Sequence, residues 1–383
     1  MVRIAANAMR RIYAHAGLQS FVEASGGIFI AGFLVAQGLS YPAALASTAL
    51  ILLSRFVMRG AILPLALRIG LRRVLLLGLT IRAASFLMLP FITGISPLLA
   101  AFLLITGVGS VFYWTGYHAY VSALGDSERG GRQVSIQQAT SAMVGIVAPV
   151  TGGFLLARLG PHVAFPVIAA IQILAALPLI GAPDATIVRD IRLDPALGRF
   201  ARRLYFNEGF HSGCAVVVWN LALFASLGEH FDAFGGAIAF AGLAAAAGSL
   251  FIGRLIDSGR PQHSLVIAYG SAALALMIKA AAFSSPWLAI GATALGALVT
   301  PMAATAMLSP LYDMARRSAC VLRFSMATEG GWDLGCSSAC LMAAATLQCG
   351  ASFRLPILLG LAPVLTMALM LRHWYARGKT SAA

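Results

Sequence analysis

The apolar residues of this chain fall into long runs, which turn residues and clusters of charge interrupt at regular intervals. Most runs contain about 20 residues, the length that a helix needs to cross a hydrocarbon core of roughly 30 Å. Cutting the sequence at the interruptions predicts twelve spanning helices, at 16–38, 43–66, 73–93, 97–121, 134–157, 163–182, 204–227, 234–256, 264–284, 288–311, 322–346 and 353–372. The pattern therefore predicts an all-α membrane protein with twelve transmembrane helices.

Composition narrows the class of protein further. Apolar residues make up 60% of the chain and charged residues only 10%, whereas about 25% of the residues of a soluble domain are charged. These values exclude a soluble enzyme and a disordered chain. The five cysteines are odd in number and form no CxxC pair, so we expect no disulfide framework.

The positive charge of the chain is distributed unevenly. The sequence has 27 Lys and Arg against 13 Asp and Glu, a net charge of +14. If the N-terminus is cytoplasmic, 20 of the 27 basic residues lie in cytoplasmic segments, and only Arg158 and Arg354 lie in outer connections. Because cytoplasmic loops accumulate Lys and Arg, we expect both termini on the cytoplasmic side of a bacterial inner membrane. The same distribution accounts for the charge without a nucleic-acid partner.

The longest polar stretch divides the chain into two apolar parts of similar length. We expect a six-helix bundle at 1–183, a cytoplasmic linker at 184–203 and a second six-helix bundle at 204–383, as parallel repeats produce. Two weak internal matches agree with this division. Phe21-Val22-Glu23 corresponds to Phe206-Asn207-Glu208, and an offset of 191 places Gln138 opposite Glu329.

The connection between the second and third predicted helices carries a sequence motif. It reads Leu63-Pro64-Leu65-Ala66-Leu67-Arg68-Ile69-Gly70-Leu71-Arg72 and resembles the Gly-x-Leu-Ala-Asp-Arg-x-Gly-Arg-Arg signature of the major facilitator superfamily. Leu63 and Leu67 replace the glycine and the aspartate of that signature. The second half keeps both in Gly253-Arg254-Leu255-Ile256-Asp257, which Gly259 and Arg260 follow. The chain resembles this superfamily over essentially its whole length.

The resemblance implies two pseudo-symmetric six-helix bundles that rock against each other to move a small solute. It also implies a cytoplasmic gate at Arg68, Arg72, Gly253, Asp257 and Arg260, where a carboxylate meets a helix terminus and nearby Arg side chains. The alternative interpretation is that Arg68 and Arg72 only set the topology.

The fifth predicted helix contains Ala148-Pro149-Val150-Thr151-Gly152-Gly153. This run resembles the Gly-Pro-x-x-Gly-Gly element of antiporters in the superfamily, with Ala148 in place of the first glycine. Pro149 permits a helix bend, and Gly152 and Gly153 permit close helix contact. The element therefore favours export, although close helix packing without antiport explains the same residues.

Ionisable side chains inside a bilayer are costly and usually functional. We expect Arg59, about one turn from the inner boundary, to extend to the interface and contact lipid. We assign counter-ion roles to Arg55, Arg82, Lys279 and Arg323. Candidates for a substrate or proton pathway are Glu23, Tyr117, His118, Gln138, Glu208, His211, Glu329 and Asp333.

The resemblance places several of these candidates together. In the superfamily, helices 1, 4, 7 and 10 line the cavity, so Glu23, Tyr117, His118, Glu208 and His211 are expected to share one aqueous space.

Two carboxylates lie on one face of the eleventh predicted helix. Glu329 and Asp333 are four residues apart, and that spacing brings side chains together on a helix. Gly330 and Gly331 can loosen the helix between them. We expect Glu329 to exchange protons and couple transport to a proton gradient, since its counterpart is the neutral Gln138. The alternative is that Glu329 only pairs with Arg55 or Arg82.

The remaining motifs point away from cofactors. Cys336 and Cys340 lie on one helical face, but packing explains them better than a metal site because no histidine or methionine completes a ligand set. The sequence has no ATP-binding loop and no hydrolase motif. We therefore expect no enzyme activity, no cofactor and no metal.

These observations predict a monomeric, proton-coupled secondary transporter of a small molecule, in contact with membrane lipids and favouring export. The alternatives are an uncoupled facilitator or lipid flippase, and a transport-inactive scaffold or assembly factor with the same fold.

The distribution of basic residues gives a topology prediction. Reporter fusions placed after Arg199 and after Ala383 should both be active in the cytoplasm, because cytoplasmic segments hold most of the Lys and Arg. A periplasmic signal at either position contradicts the arrangement of two bundles around a cytoplasmic linker.

Overall fold

The computed structural model describes residues 2–124, 143–184, 195–256, 261–317 and 321–380. All regular secondary structure in these ranges is helical, and we number the membrane helices α1 to α12 in chain order. Their bounds are α1 Val2–Ser25 continuing as Ile30–Ala36, α2 Tyr41–Met58 continuing as Ile62–Ile69, α3 Leu71–Met88, α4 Pro97–Leu124, α5 Met143–Leu159, α6 Pro161–Ile180, α7 Pro195–Ser212 continuing as Trp219–Ser226, α8 Phe231–Ile256, α9 Pro261–Ala282, α10 Pro286–Arg317, α11 Val321–Gln348 and α12 Arg354–Leu358 continuing as Leu361–Thr380.

Within the described ranges, eight helical stretches are long and apolar enough to cross a membrane, and they belong to α1, α2, α3, α4, α6, α7, α9 and α12. α5, α8 and α10 contain shorter apolar stretches. α11 has 28 residues and carries Arg323, Glu329 and Asp333. Together these helices correspond to the twelve that the apolar runs predict, so the predicted all-α fold is confirmed.

Several helices are longer than their apolar runs. α10 has 32 residues, from Pro286 to Arg317, which corresponds to about 48 Å. The hydrocarbon core is only about 30 Å thick, so α10 projects beyond it. The apolar pattern at 288–311 marks only the part of the helix that is suited to lipid, because backbone hydrogen bonds continue where the side chains become polar.

Several helices contain irregular turns that the sequence does not predict. A 3₁₀ turn interrupts α1 at Gly27–Phe29, and another interrupts α2 at Arg59–Ala61. α7 contains a π-helical segment at Gly213–Val218. Such irregular turns are frequent at functional positions. In contrast, α11 is continuous through Gly330 and Gly331, where the sequence suggests a loosened helix.

Helix packing repeats between the first half (α1–α6) and the second half (α7–α12). α3 packs against α4 and α6, as α9 packs against α10 and α12, and α1 packs against α6 as α7 packs against α12. Between the halves, α2 packs along α11. We call the end of the molecule where α2 meets α3, at Gly70, the basic end, and the end where α1 meets α2, at Gly38, the opposite end.

α5 and α8 approach each other through their backbones. A Cβ atom on Gly235 would lie 2.3 Å from the carbonyl oxygen of Pro149, and one on Gly153 would lie 2.5 Å from that of Phe231. Similarly, a Cβ on Gly242 would lie 2.6 Å from the carbonyl oxygen of Gly145. The residues of the antiporter-like element therefore form a tight contact between the two halves.

Aromatic side chains join the two halves towards the opposite end. The ring centroids of Phe29 and Phe234 are 5.4 Å apart in an edge-to-face arrangement, which aromatic pairs favour. Phe224 packs over Gly32 of α1. Tyr41 at the start of α2 donates a hydrogen bond to Glu229 before α8. The halves are thus in contact at this level as well.

The packing of α5 predicts a strong contrast between two glycines of one helix. A Cβ on Gly152 would lie 2.0 Å from the carbonyl oxygen of Ser25, whereas no atom of the described residues lies within 4 Å of a Cβ on Gly145. Gly152→Ala should lower the free energy of unfolding by about 1–3 kcal/mol, and Gly145→Ala should change it by no more than about 0.5 kcal/mol. Thermal unfolding in detergent measures both, and equal effects contradict the described contact.

Candidate functional site

A cluster of charged side chains joins α2 to α11, in the part of the molecule nearer the basic end. Arg59 Nη1 donates to Glu329 Oε2 at 2.8 Å, and Arg59 Nη2 bonds to Asp333 Oδ2. Arg55 Nη2 lies 3.2 Å from Asp333 Oδ1. The side chains of Arg59 and Glu329 are 5% and 9% exposed, and that of Asp333 is fully buried. We call these four residues the ion cluster.

α4 adds two polar groups to the ion cluster. The Thr115 hydroxyl accepts from Arg59 Nη1 at 2.6 Å and donates to Glu329 Oε2 at 2.7 Å. His118 Nδ1 lies 2.8 Å from Glu329 Oε1. The His118 side chain is 49% exposed, so it links the buried Glu329 carboxylate to the surface.

Helical spacing brings these groups together. Arg55 and Arg59 are four residues apart on α2, as Glu329 and Asp333 are on α11, and each pair therefore lies on one face of its helix. Gly330 gives α2 room to approach, since a Cβ there would lie 3.3 Å from the Phe56 ring. The guanidinium of Arg55 lies 5.7 Å from the centre of the Trp332 ring, within the range of a cation–π interaction.

Two expectations about these residues need correction. The prediction that Arg59 reaches lipid is wrong, because Arg59 is 4% exposed and bonded on both guanidinium branches. Its position near the interface suggested an exposed side chain, but the rotation of α2 turns it towards α11. Glu329 does pair with an arginine, as the alternative proposes, but that arginine is Arg59 instead of Arg55 or Arg82, and Thr115 and His118 also contact its carboxylate.

The charges of the ion cluster are divided between the halves. Both guanidinium groups belong to the first half, and both carboxylates belong to the second half. The cluster is also incompletely hydrogen bonded within the described part of the chain: Nε of Arg55, Nε of Arg59 and Oδ1 of Asp333 have no hydrogen-bond partner. Buried ions recover their desolvation cost only with good geometry and full hydrogen bonding. The hydrogen bonds within the cluster therefore recover only part of the desolvation cost of these buried charges.

Glu23 belongs to a separate network inside the first half. Its Oε1 accepts hydrogen bonds from Arg82 Nη2 and, at 2.9 Å, from Gln19 Nε2. Gln172 of α6 donates to Gln19 at 2.6 Å. Arg82 also reaches Ser110 of α4 at 3.3 Å. This network joins four helices of the first half around one ion pair.

Among the described residues, the five side chains expected to share one aqueous space lie in different local environments. Glu23 pairs with Arg82, and His118 contacts Glu329 of the ion cluster. Tyr117 stacks near His15 and Tyr113 in the first half. Glu208 and His211 line a cavity within the second half, whose lining includes neither Glu23 nor His118. The rotation of each helix, which the sequence alone does not reveal, separates these residues.

The basic end of the first half is closed by two reciprocal contacts. Arg72, near the start of α3, donates from Nη1 to the carbonyl oxygens of Ile180 at 2.9 Å and Ala182 at 2.5 Å, at the end of α6. Asp184 accepts the backbone N–H of Arg72 at 3.0 Å. A cation thus lies at a helix C-terminus and an anion at a helix N-terminus, which both helix dipoles favour. Gly70 has φ +89°, and its missing side chain leaves the space that Asp184 occupies.

Asp184 is a functional candidate that sequence reasoning missed. The signature aspartate is absent at Leu67, and the carboxylate that meets the start of α3 comes from a position 112 residues after Arg72. No spacing rule connects the two positions. The signal that was available is the isolated acidic residue that directly follows α6.

The other predicted residues lie as follows. Arg68 is exposed at the end of α2, and Gly253 lies within α8. Arg323 is half-buried at the start of α11. Gln138, Asp257 and Arg260 lie outside the described residues.

Three buried thiols lie between α7 and α11. Cys214, Cys336 and Cys340 are all fully buried. Among the described residues, no group of three or more His, Cys, Asp or Glu side chains is arranged to hold a metal ion.

A family model described as "Major Facilitator Superfamily" matches residues 16–336, most of the chain. Among solved structures, the chain is similar to "the POT family transporter PepTSo", determined in meso, with a TM-score of 0.68 and 11% sequence identity over 98% of this chain and 99% of that one. At this identity the likeness shows the fold alone. No curated protein matches the sequence. The chain therefore belongs to the Major Facilitator Superfamily of multi-pass membrane transporters, which are not enzymes.

Proposed function

We propose that this protein is a secondary transporter that exchanges a small solute for protons by alternating access, and that the ion cluster is its proton-responsive latch. The division of charge carries this proposal: every cation of the cluster lies in the first half and every carboxylate in the second. Any change of charge in the cluster alters the attraction between the parts that must separate.

In this arrangement, protonation of the carboxylates weakens the attraction between the two halves. When Glu329 and Asp333 are ionised, they hold the halves together near the basic end. Protonation of Glu329 removes one negative charge and leaves Arg55 and Arg59 to share Asp333. An uncompensated buried charge costs about 3–5 kcal/mol, and about 5.5 kcal/mol converts a 1:99 equilibrium to 99:1. One protonation is therefore large enough to shift a two-state transporter.

The exposed side of His118 supplies the route for the proton. Its Nδ1 contacts Glu329 while 49% of its side chain is exposed, so the imidazole ring lies between the buried carboxylate and the surface. With the basic end in the cytoplasm of a bacterial cell, as the distribution of Lys and Arg favours, opening of the latch releases the proton inwards.

Export is the direction that the sequence favours. The run from Ala148 to Gly153 resembles an antiporter element, and its Pro149 and Gly153 contact α8. In the proposed cycle, inward proton movement through the ion cluster drives the solute outwards.

The latch predicts that acidification opens the basic end. Spin labels attached at Arg68→Cys and Arg203→Cys, both exposed and on opposite halves, should move apart when the pH is lowered from mildly alkaline to mildly acidic, in a background in which the five native cysteines are replaced. Glu329→Gln imitates protonation, so this variant should show the longer distance at every pH. Double electron–electron resonance measures both distances without a known substrate.

Asp232→Asn is the control for this experiment, because Asp232 is an exposed carboxylate on α8 outside the cluster. It should respond to pH like the parent protein. A Glu329→Gln variant that keeps the full pH response contradicts the role of Glu329 as the proton-sensitive group.

The ion pair itself predicts strong coupling between two substitutions. Arg59→Met and Asp333→Leu should each lower the free energy of unfolding by about 3–5 kcal/mol, because each leaves a buried charge without its partner. The double variant should be substantially more stable than the sum of the single effects implies. Thermal unfolding of the four proteins measures the coupling. Strictly additive effects are incompatible with a direct interaction across the halves.

A further inference from the structure

The second half encloses a cavity that the latch does not use. It lies between α7, α9, α10 and α12 and has a volume of about 60 Å³. Its polar lining consists of Glu208 and His211 from α7 and Tyr269 and Lys279 from α9.

Charges of opposite sign line this cavity without neutralising each other. Glu208 accepts a bond from Ser212 at 3.3 Å, and Lys279 Nζ donates to the carbonyl oxygen of Ala215 at 2.8 Å. No ion pair joins Glu208 to Lys279, although both side chains are described. Lys279 is only 8% exposed, and a buried charge normally has a charged partner.

The spacing along α7 separates the two charged ends of the cavity. Ala215, which holds Lys279, follows Glu208 by seven residues, or about 10 Å at the helical rise. Trp219 lies further along, with its ring centre 5.2 Å from Lys279 Nζ. An ammonium group has three donors, so Lys279 keeps hydrogen-bonding capacity that Ala215 does not use.

Two further polar groups in the lining have no hydrogen-bond partner within the described part of the chain. They are the Tyr269 hydroxyl and His211 Nδ1, both shielded from solvent. Tyr269 is 3% exposed as a residue. A buried polar atom that is left unpaired costs about 1–3 kcal/mol, and a ligand in the cavity would remove this cost.

At the equivalent place in the first half, the charged side chains pair directly with each other. There the acid of the first helix, Glu23, and the base of the third helix, Arg82, bond directly to each other, and Gln19 completes the contact. In the second half, Glu208 and Lys279 occupy the same two helices of the repeat but remain apart. The first half therefore satisfies its charges internally, whereas the second half leaves both facing a cavity.

We propose that this cavity binds a small zwitterion, a solute whose ammonium and carboxylate groups are separated by a short chain. The ammonium group pairs with Glu208 and donates a second hydrogen bond to the hydroxyl oxygen of Tyr269. The carboxylate pairs with Lys279 near Trp219. The roughly 10 Å between the charged ends favours an ω-amino acid over an α-amino acid, whose two charges are adjacent. This site is independent of proton coupling at the latch.

A comparison of zwitterionic and singly charged small molecules as ligands tests the proposal. Purified protein in detergent should be stabilised against thermal unfolding by 4-aminobutanoate and 6-aminohexanoate more than by glycine. Butylamine and butanoate, which carry one charge each, should stabilise it much less. Isothermal titration should give one saturable site for the better ω-amino acid. Equal effects of the zwitterions and the singly charged probes, or no binding of any of them, overturn the proposal.

Substitutions locate the site. Lys279→Met and Glu208→Gln should each weaken binding by about tenfold or more, because each removes a charged hydrogen bond. Tyr269→Phe, which deletes one oxygen atom and disturbs packing least, should weaken it about threefold. Asp232→Asn, which changes an exposed carboxylate on α8, should bind as the parent protein does. Unchanged affinity in Tyr269→Phe and in the folded charge variants places the ligand elsewhere and overturns the assignment.

The outcome is separable from that of the latch experiment. Binding is measured at one pH and without transport, whereas the latch is measured by distance against pH without ligand. If one of the two experiments gives a negative result, the other can still be interpreted.

Discussion

Attraction between opposite charges on separate halves is the interaction on which the working of this fold depends. Most of the interface between α2 and α11 is apolar or small, and lipid supplies no hydrophobic force that would hold two apolar helices together. Arg55 and Arg59 face Glu329 and Asp333, and all four side chains are at most 12% exposed. There a charge interaction is much stronger than at a wet surface. The same four residues that stabilise contact between the halves are therefore the ones that can release it.

The sequence predicts the helices well because the bilayer leaves few alternatives. A backbone in lipid must satisfy its own hydrogen bonds, so twenty apolar residues imply a helix. The pairing of Glu329 with Asp333 on one face also follows from their spacing. What the spacing does not contain is the rotation of one helix relative to another. For this reason Arg59, judged by its depth alone, was expected at the lipid surface, and Thr115 gave no signal at all.

Long-range contacts mark a second limit of sequence reasoning. The motif between α2 and α3 lacks its aspartate at Leu67, and the structure meets the same helix end with Asp184, from beyond α6. Likewise, Glu23 and Glu208 look equivalent in the sequence, yet one has a basic partner and the other faces a cavity. A repeat predicts which helices correspond, but the partner of each side chain depends on residues elsewhere that the repeat does not constrain.

The contact between α5 and α8 has a mechanical consequence. Gly145 and Gly242, and then Pro149 and Gly235, approach backbone to backbone. Interlocked side chains resist sliding, because each must change rotamer to pass its neighbour. A contact between glycine backbones does not impose this barrier. The contact between α5 and α8 can therefore act as a rotation axis. One half can turn about it relative to the other while the packing inside each half stays intact.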